Sequence, residues 1–215
     1  VRGDITGPIS ETLAYSLSGF SNQRDGYFEE VNRDGENNER NRFGVRGQLR
    51  WQPNENTNFR LIGDWDKIDE VCCGVSNVVD GATGNAVRFL TSNANAIVSN
   101  QRFAYEGTTN FDSENEIENK GISLQGDYDF GWGTLTSITA YRETDAFENA
   151  DSDFTSADLI GRNATQKNFE TFTQELRISS NGGGEFDWLA GVFFFDESVS
   201  EDNDFQYGND IYNYI

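Results

Sequence analysis

The residue types that most often carry catalysis are either missing from this sequence or too common in it to be informative. It has no histidine, so neither a Ser-His triad nor a histidine general base can form within it. Carboxylates are so plentiful, 37 Asp and Glu in 215 residues, that finding two side by side says nothing about glycoside hydrolysis or other paired-carboxylate chemistry. No G-x-x-x-x-G-K-[ST] or G-x-G-x-x-G loop is present to cradle a phosphate. Asp151-Ser152-Asp153 lacks the glycine and the distal glutamate of a calcium loop. Nothing points to an enzyme, a cofactor or a resident metal.

Two other sets of residues could do chemistry. Cys72 and Cys73 are adjacent, and two thiols are too few for a structural zinc site. Neighbouring Cα atoms lie about 3.8 Å apart across a trans peptide, below the usual range for a disulfide. A vicinal bridge and a bridge to cysteines outside this segment both stay open. The second set is Arg42, Arg46, Arg50, Arg60, Asp64 and Asp66, charged residues at alternate positions of two neighbouring β-like runs. They are candidates for contact with a polar interior and its contents. The competing reading is that they satisfy one another and water.

The elements that must position these residues are strands. Phe43, Val45, Gly47, Leu49 and Trp51 alternate with Arg42, Arg46, Gln48 and Arg50. The same period of two appears in Leu13 to Gly19, Phe59 to Asp66, Ile122 to Phe130 and Phe172 to Ile178. Two less clearly two-faced runs, 133–144 and 186–195, bring the expectation to seven strands, with Val1 to Ile5 as the end of another. Short connections at Pro53–Asn56, Gly131-Trp132 and Asn181–Glu185 alternate with long segments at 25–41, 69–119, 145–166 and from 196 onward. The long segments hold 25 of the 37 acidic and 5 of the 16 basic residues, so the acid is expected in the loops and near neutrality in the strands. Within 69–119, Val87, Leu90, Ala94 and Ile97 fall on one face of a helix expected near 86–99.

Strict alternation of short turns with long loops is the layout of a membrane β-barrel, whose short turns share one rim. Aromatics fit that layout. Trp51, Phe59, Phe130, Trp132 and Trp188 flank the short turns, and Trp65 sits towards the other strand ends, as interface girdles require. The fold expected is all-β: an antiparallel transmembrane β-barrel segment with short periplasmic turns and long extracellular loops. Val45, Leu49, Leu61, Ile122 and Leu124 should face lipid, and Arg46, Asp64 and Gln125 the interior. A net charge of −21 argues against nucleic acid as a partner.

The same residues carry a resemblance. "FTQELRISSNGGGEFDWLAGVFFFDE", with its Q-E-L-R strand followed by D-W-x-x-G-x-F, and "GTLTSITAYRE" before it resemble mid-barrel stretches of the TonB-dependent receptor family. "GDITGPISETLAYSLSGFSNQRDGYFEEV" and "NRFGVRGQLRWQPNENTNFRLIGDWDKIDE" resemble its earlier barrel hairpins. The resemblance implies an outer-membrane importer in a Gram-negative bacterium, built as a plugged barrel of about 22 strands. Residues 1–215 would then be a partial barrel of seven to eight strands, an internal piece without plug or closing strands. Its implied partners are the TonB-ExbB-ExbD complex acting through the plug, outer-membrane lipid and lipopolysaccharide, and a scarce siderophore-, cobalamin- or carbohydrate-like solute. A passive porin-type barrel and a soluble secreted β-sandwich are the alternatives.

Overall fold

A computed structural model of the chain describes residues 1–96 and 103–215. Its main body is one eight-stranded antiparallel sheet in which the strands lie in sequence order. The strands are β1 (Arg2–Pro8), β2 (Leu13–Arg24), β5 (Arg40–Asn54), β6 (Thr57–Val71), β8 (Glu114–Asp129), β9 (Gly133–Asn149), β10 (Ile160–Ser180) and β11 (Leu189–Tyr207). A small second sheet, β4-β3-β7, is built from β3 (Phe28–Glu30), β4 (Glu36–Asn37) and β7 (Glu106–Gly107). Two helices, α1 (Ala82–Leu90) and α2 (Ile211–Tyr214), complete the described elements.

Every neighbouring pair in the main sheet is antiparallel, so alternate connections return to the same end. Residues 9–12, 55–56, 130–132 and 181–188 therefore lie at one rim, and 25–39, 72–113, 150–159 and the segment from 208 at the other. Backbone bonds tie the short-turn rim together. Gln52 N–H donates to the Thr12 carbonyl at 2.8 Å, and Asp129 N–H to the Asn56 carbonyl at 2.8 Å. Asn181 Nδ2 donates to Asp129 Oδ1 at 2.7 Å and to the Gly131 carbonyl at 3.1 Å. Gly131 stands at φ +87°, a left-handed position that glycine occupies without Cβ strain.

Cross-strand register sorts the side chains into two faces. Leu13, Trp51, Phe59 and Gly126 form one row, and Tyr15, Leu49, Leu61, Leu124 and Thr139 the next. Further up lie Gly63, Ile122, Tyr141 and Phe172. This apolar face is uncovered: Val45, Leu49, Leu61, Ile122 and Leu124 are 37–55% exposed. No second sheet packs on it among the described residues, so a closed sandwich is not the architecture. No closed barrel is formed either; β1 and β11 each leave one edge unpaired among the described residues.

Several expected bounds need correction. Strand β9 runs to Asn149 and β10 begins at Ile160, which shrinks the connection expected at 145–166 to 150–159. Strand β11 begins at Leu189 rather than 186 and runs to Tyr207, so much of the expected tail is strand. With these bounds the eight strands carry −7, and the acid is shared between loops and upper strand ends rather than confined to loops. The helix expected near 86–99 is α1 at Ala82–Leu90. Val87 is fully buried and Leu90 packs on the same cluster, while Ala94 is exposed and lies past the helix end. Ile97 lies outside the described residues.

Candidate functional site

All six charged residues singled out in sequence share the polar face. Register places Arg42 opposite Ile68, Gly44 opposite Asp66, Arg46 opposite Asp64, and Arg50 opposite Arg60. The Arg42 guanidinium clasps Glu70, Nε to Oε1 at 2.5 Å and Nη2 to Oε2 at 2.9 Å, with Glu70 buried. Asp64 is held by Arg142 Nη2 at 2.7 and 2.9 Å, from two strands away. Gly121 lies between them in the ladder, and a Cβ there would meet the Arg142 guanidinium at 3.0–3.1 Å. Asp66 accepts from Asn119 Nδ2 at 3.0 Å. Asp127 accepts from Thr136 Oγ1 at 2.8 Å and from the amides of Asn58 and Gln125. Arg50 donates to Asn58 Oδ1 at 2.8 Å, and Arg60 to Gln125 Oε1 at 2.7 Å.

Arg142, Glu70 and Asp127 are the members of this wall that the sequence did not single out. For Arg142 the signal was masked because Leu135 to Tyr141 shows no clean two-face split. Register resolves it: Tyr141 belongs to the apolar face and Arg142 to the polar one.

The aromatics singled out in sequence gather on the opposite face. Trp51 stacks on Phe59 at 5.5 Å between ring centroids, Phe130 on Trp132 at 5.6 Å, and Trp132 lies 6.2 Å from Trp188. These contacts run along the short-turn rim. Trp65 stands at the other end, edge-on to Phe43 at 5.3 Å and in register with Lys120. Level with it and beyond, the same face turns charged, with Lys120 opposite Glu143 at 2.9 Å and Lys67 opposite Glu118.

Above the wall the long connections fold onto one another. Val87, Ala96, Ala157 and Leu159 form a buried cluster, with Leu90 and Ile211 against it. Thr91 Oγ1 donates to the Val87 carbonyl at 2.8 Å and closes the end of α1. Cys72 and Cys73 are bridged to each other, directly after β6. Buried Glu30 accepts from Asn37 Nδ2 and from Thr109 N–H at 2.9 Å, joining the small sheet to the 108–113 segment. Asp151 is fully buried and accepts from Asn110 N–H at 2.8 Å and Phe154 N–H at 3.1 Å. Burial, reinforced by the nearby Asp153 charge and opposed by those N–H donors, raises its carboxyl to about 7. A cavity of about 300 Å³ opens beside it, lined in part by Val75, Asp80, Thr83, Thr108, Asp153 and Phe154. The connections at this rim carry −10. Among the described residues no group of three or more Cys, Asp or Glu is arranged to hold a metal.

The geometry is that of a wall, polar on one side and apolar on the other, topped by a folded, acidic loop assembly. No family model matches the chain, and no curated protein matches it. Among solved structures it is similar to the ferric yersiniabactin uptake receptor FyuA from Yersinia pestis, with a TM-score of 0.73 at 13% identity, covering 96% of this chain and 29% of that receptor. The likeness is one of fold, and the chain spans under a third of that receptor's length.

Proposed function

We propose that the chain is part of the wall of an outer-membrane import receptor of the TonB-dependent type. The observation that carries this reading is the uncovered apolar face. A soluble monomer rarely exposes a contiguous apolar patch beyond a few hundred Å², whereas this one crosses the main sheet. Its limits suit a bilayer. On β8 it runs from Phe130 at the short-turn rim to Ile122, with Lys120 just beyond. Nine residues span about 27 Å of strand, or about 21 Å of height at a tilt of about 40°, close to the roughly 25 Å of a lipid-facing band. The fold shared with an uptake receptor supports transport over a passive role.

On this reading Arg42, Arg46, Arg50, Arg60, Asp64 and Asp66 line the interior, and Trp51, Phe59, Phe130, Trp132 and Trp188 mark the periplasmic interface. The loop assembly meets the solute outside the cell. TonB-ExbB-ExbD would act on a plug within the barrel to open a path, with the wall strands as its rigid frame. The test is uptake by cells carrying the full-length protein, with and without TonB. Accumulation of a solute above its external level only when TonB is present is the expected result. Uptake indifferent to TonB would make the protein a passive pore.

A further inference from the structure

We propose that Arg50 and Arg60 together hold a carboxylate from a polypeptide element that lies against the polar face near the short-turn rim; the inference rests on the receptor reading. Register places the two directly opposite each other on adjacent strands. Like charges in that position repel, so an anion held between them stabilises the pair. The chain has carboxylates to spare, yet none is spent here. Arg42, Lys67, Lys120, Arg142, Arg162, Lys167 and Arg177 each have a carboxylate within 4 Å; Arg46 faces Asp64 in register, and the other opposed arginines, Arg24 and Arg40, lie at the far strand ends, where Arg24 packs over the Tyr27 ring. Neither Arg50 nor Arg60 makes an ion pair among the described residues.

Each instead uses part of its guanidinium on a neutral amide oxygen, Arg50 on Asn58 and Arg60 on Gln125. Both side chains are exposed, so most of their donors stay open on the polar side. The nearby carboxylate on the same face, Asp127, is already engaged by Asn58, Gln125 and Thr136. Two guanidinium groups side by side offer a carboxylate paired, in-plane donors, a geometry an ammonium cannot supply. Arg50 is one residue from Trp51, so the contact sits at the periplasmic mouth. There it would fasten the element that fills the barrel to the β5–β6 hairpin.

The experiment uses the full-length receptor in detergent. A photo-crosslinking amino acid at Gln48, which neighbours Arg50 on the same face, identifies the peptide lying against it. Thermal unfolding is then measured for Arg50→Gln, Arg60→Gln and Arg60→Lys, for Asn58→Ala as control, and for the amide variant of each Asp or Glu in that peptide. We expect Arg60→Gln to lower the Tm by at least about 2 °C and Arg60→Lys to lower it less. One amide variant in the peptide should lower it similarly and add nothing to Arg60→Gln. An unchanged or raised Tm for the Gln variants, as relief of repulsion alone would give, overturns the proposal. So does a peptide without Asp or Glu, an Asn58→Ala loss equal to that of Arg50→Gln, or strict additivity of the two sites. Inorganic phosphate raising the wild-type Tm but not that of Arg50→Gln would assign the pair to a free anion and equally overturn it. A full-length protein that is no outer-membrane barrel would remove the receptor reading itself, and is seen beforehand by fractionation.

Discussion

At Gly121 the absence of a side chain decides where a charge goes. The Arg142 guanidinium crosses β8 over this position to reach Asp64 on β6, and a Cβ would meet it at 3.0–3.1 Å. Gly121→Val is therefore expected to break the pair. Arg142 is half exposed, so the coupling is worth about 0–1 kcal/mol. A double-mutant cycle checks this: Arg142→Ala should cost less in the Gly121→Val background than in the native one, and equal costs would show that the pair contributes nothing. Asp151 acts in the loops instead. Its carboxyl is raised from 3.8 to about 7 in the folded state. A raised carboxyl binds its proton more tightly when folded, so its contribution is most favourable below about pH 4, falls as pH rises, and levels off above about pH 7. Protease nicking of loop 150–159 in the full-length protein should accelerate between pH 5 and pH 8. Asp151→Asn should flatten that dependence.

At the scale of the element, an amphipathic strand makes its own prediction about depth. Arg in place of Leu124, mid-way up the apolar face, should cost about 2–4 kcal/mol of folding into lipid vesicles, and Arg in place of Trp51 at the rim about 0–1 kcal/mol. Equal costs would tell against a bilayer around this sheet. For α1, Val87→Ala removes two buried methyl groups and should cost about 1.5 kcal/mol, read as faster amide exchange in α1 and around Ala157. The strands were legible in sequence where one face meets something apolar, as in Phe43 to Trp51 or Ile122 to Phe130. They were illegible above that band. From Thr144 to Asn149 and from Asp196 to Tyr207 the ladder continues, but both faces are wet, so the period of two disappears while the hydrogen bonds remain. The pairing of Glu29 with Glu106, between segments far apart in sequence, left no local signal at all. The charged wall was half legible: periodicity put six residues on one face, whereas the partners of Arg42 and Asp64, Glu70 and Arg142, depended on register.

For the whole molecule, charge and shape are laid out along one axis. The short-turn rim is aromatic, the middle is apolar on one face and polar on the other, and the far end is acidic and folded. A field of that sign around the loop assembly should slow the approach of anionic solutes and favour neutral or cationic ones, an effect that salt would screen. Open edges at β1 and β11 would invite aggregation in water; on the proposed reading, further wall strands would remove that liability. The central claim is that the apolar face meets lipid and the polar face the interior. Site-directed spin labelling along β8 tests it most directly. In the full-length protein in bilayers, with Cys72 and Cys73 replaced by Ser, single labels at positions 122 to 128 are read for collision with dissolved oxygen and with a water-soluble nickel chelate. Labels at Ile122, Leu124, Gly126 and Tyr128 should show high oxygen and low nickel accessibility, and those at Ser123, Gln125 and Asp127 low oxygen accessibility. Accessibility without a period of two, or with the opposite parity, would contradict the account.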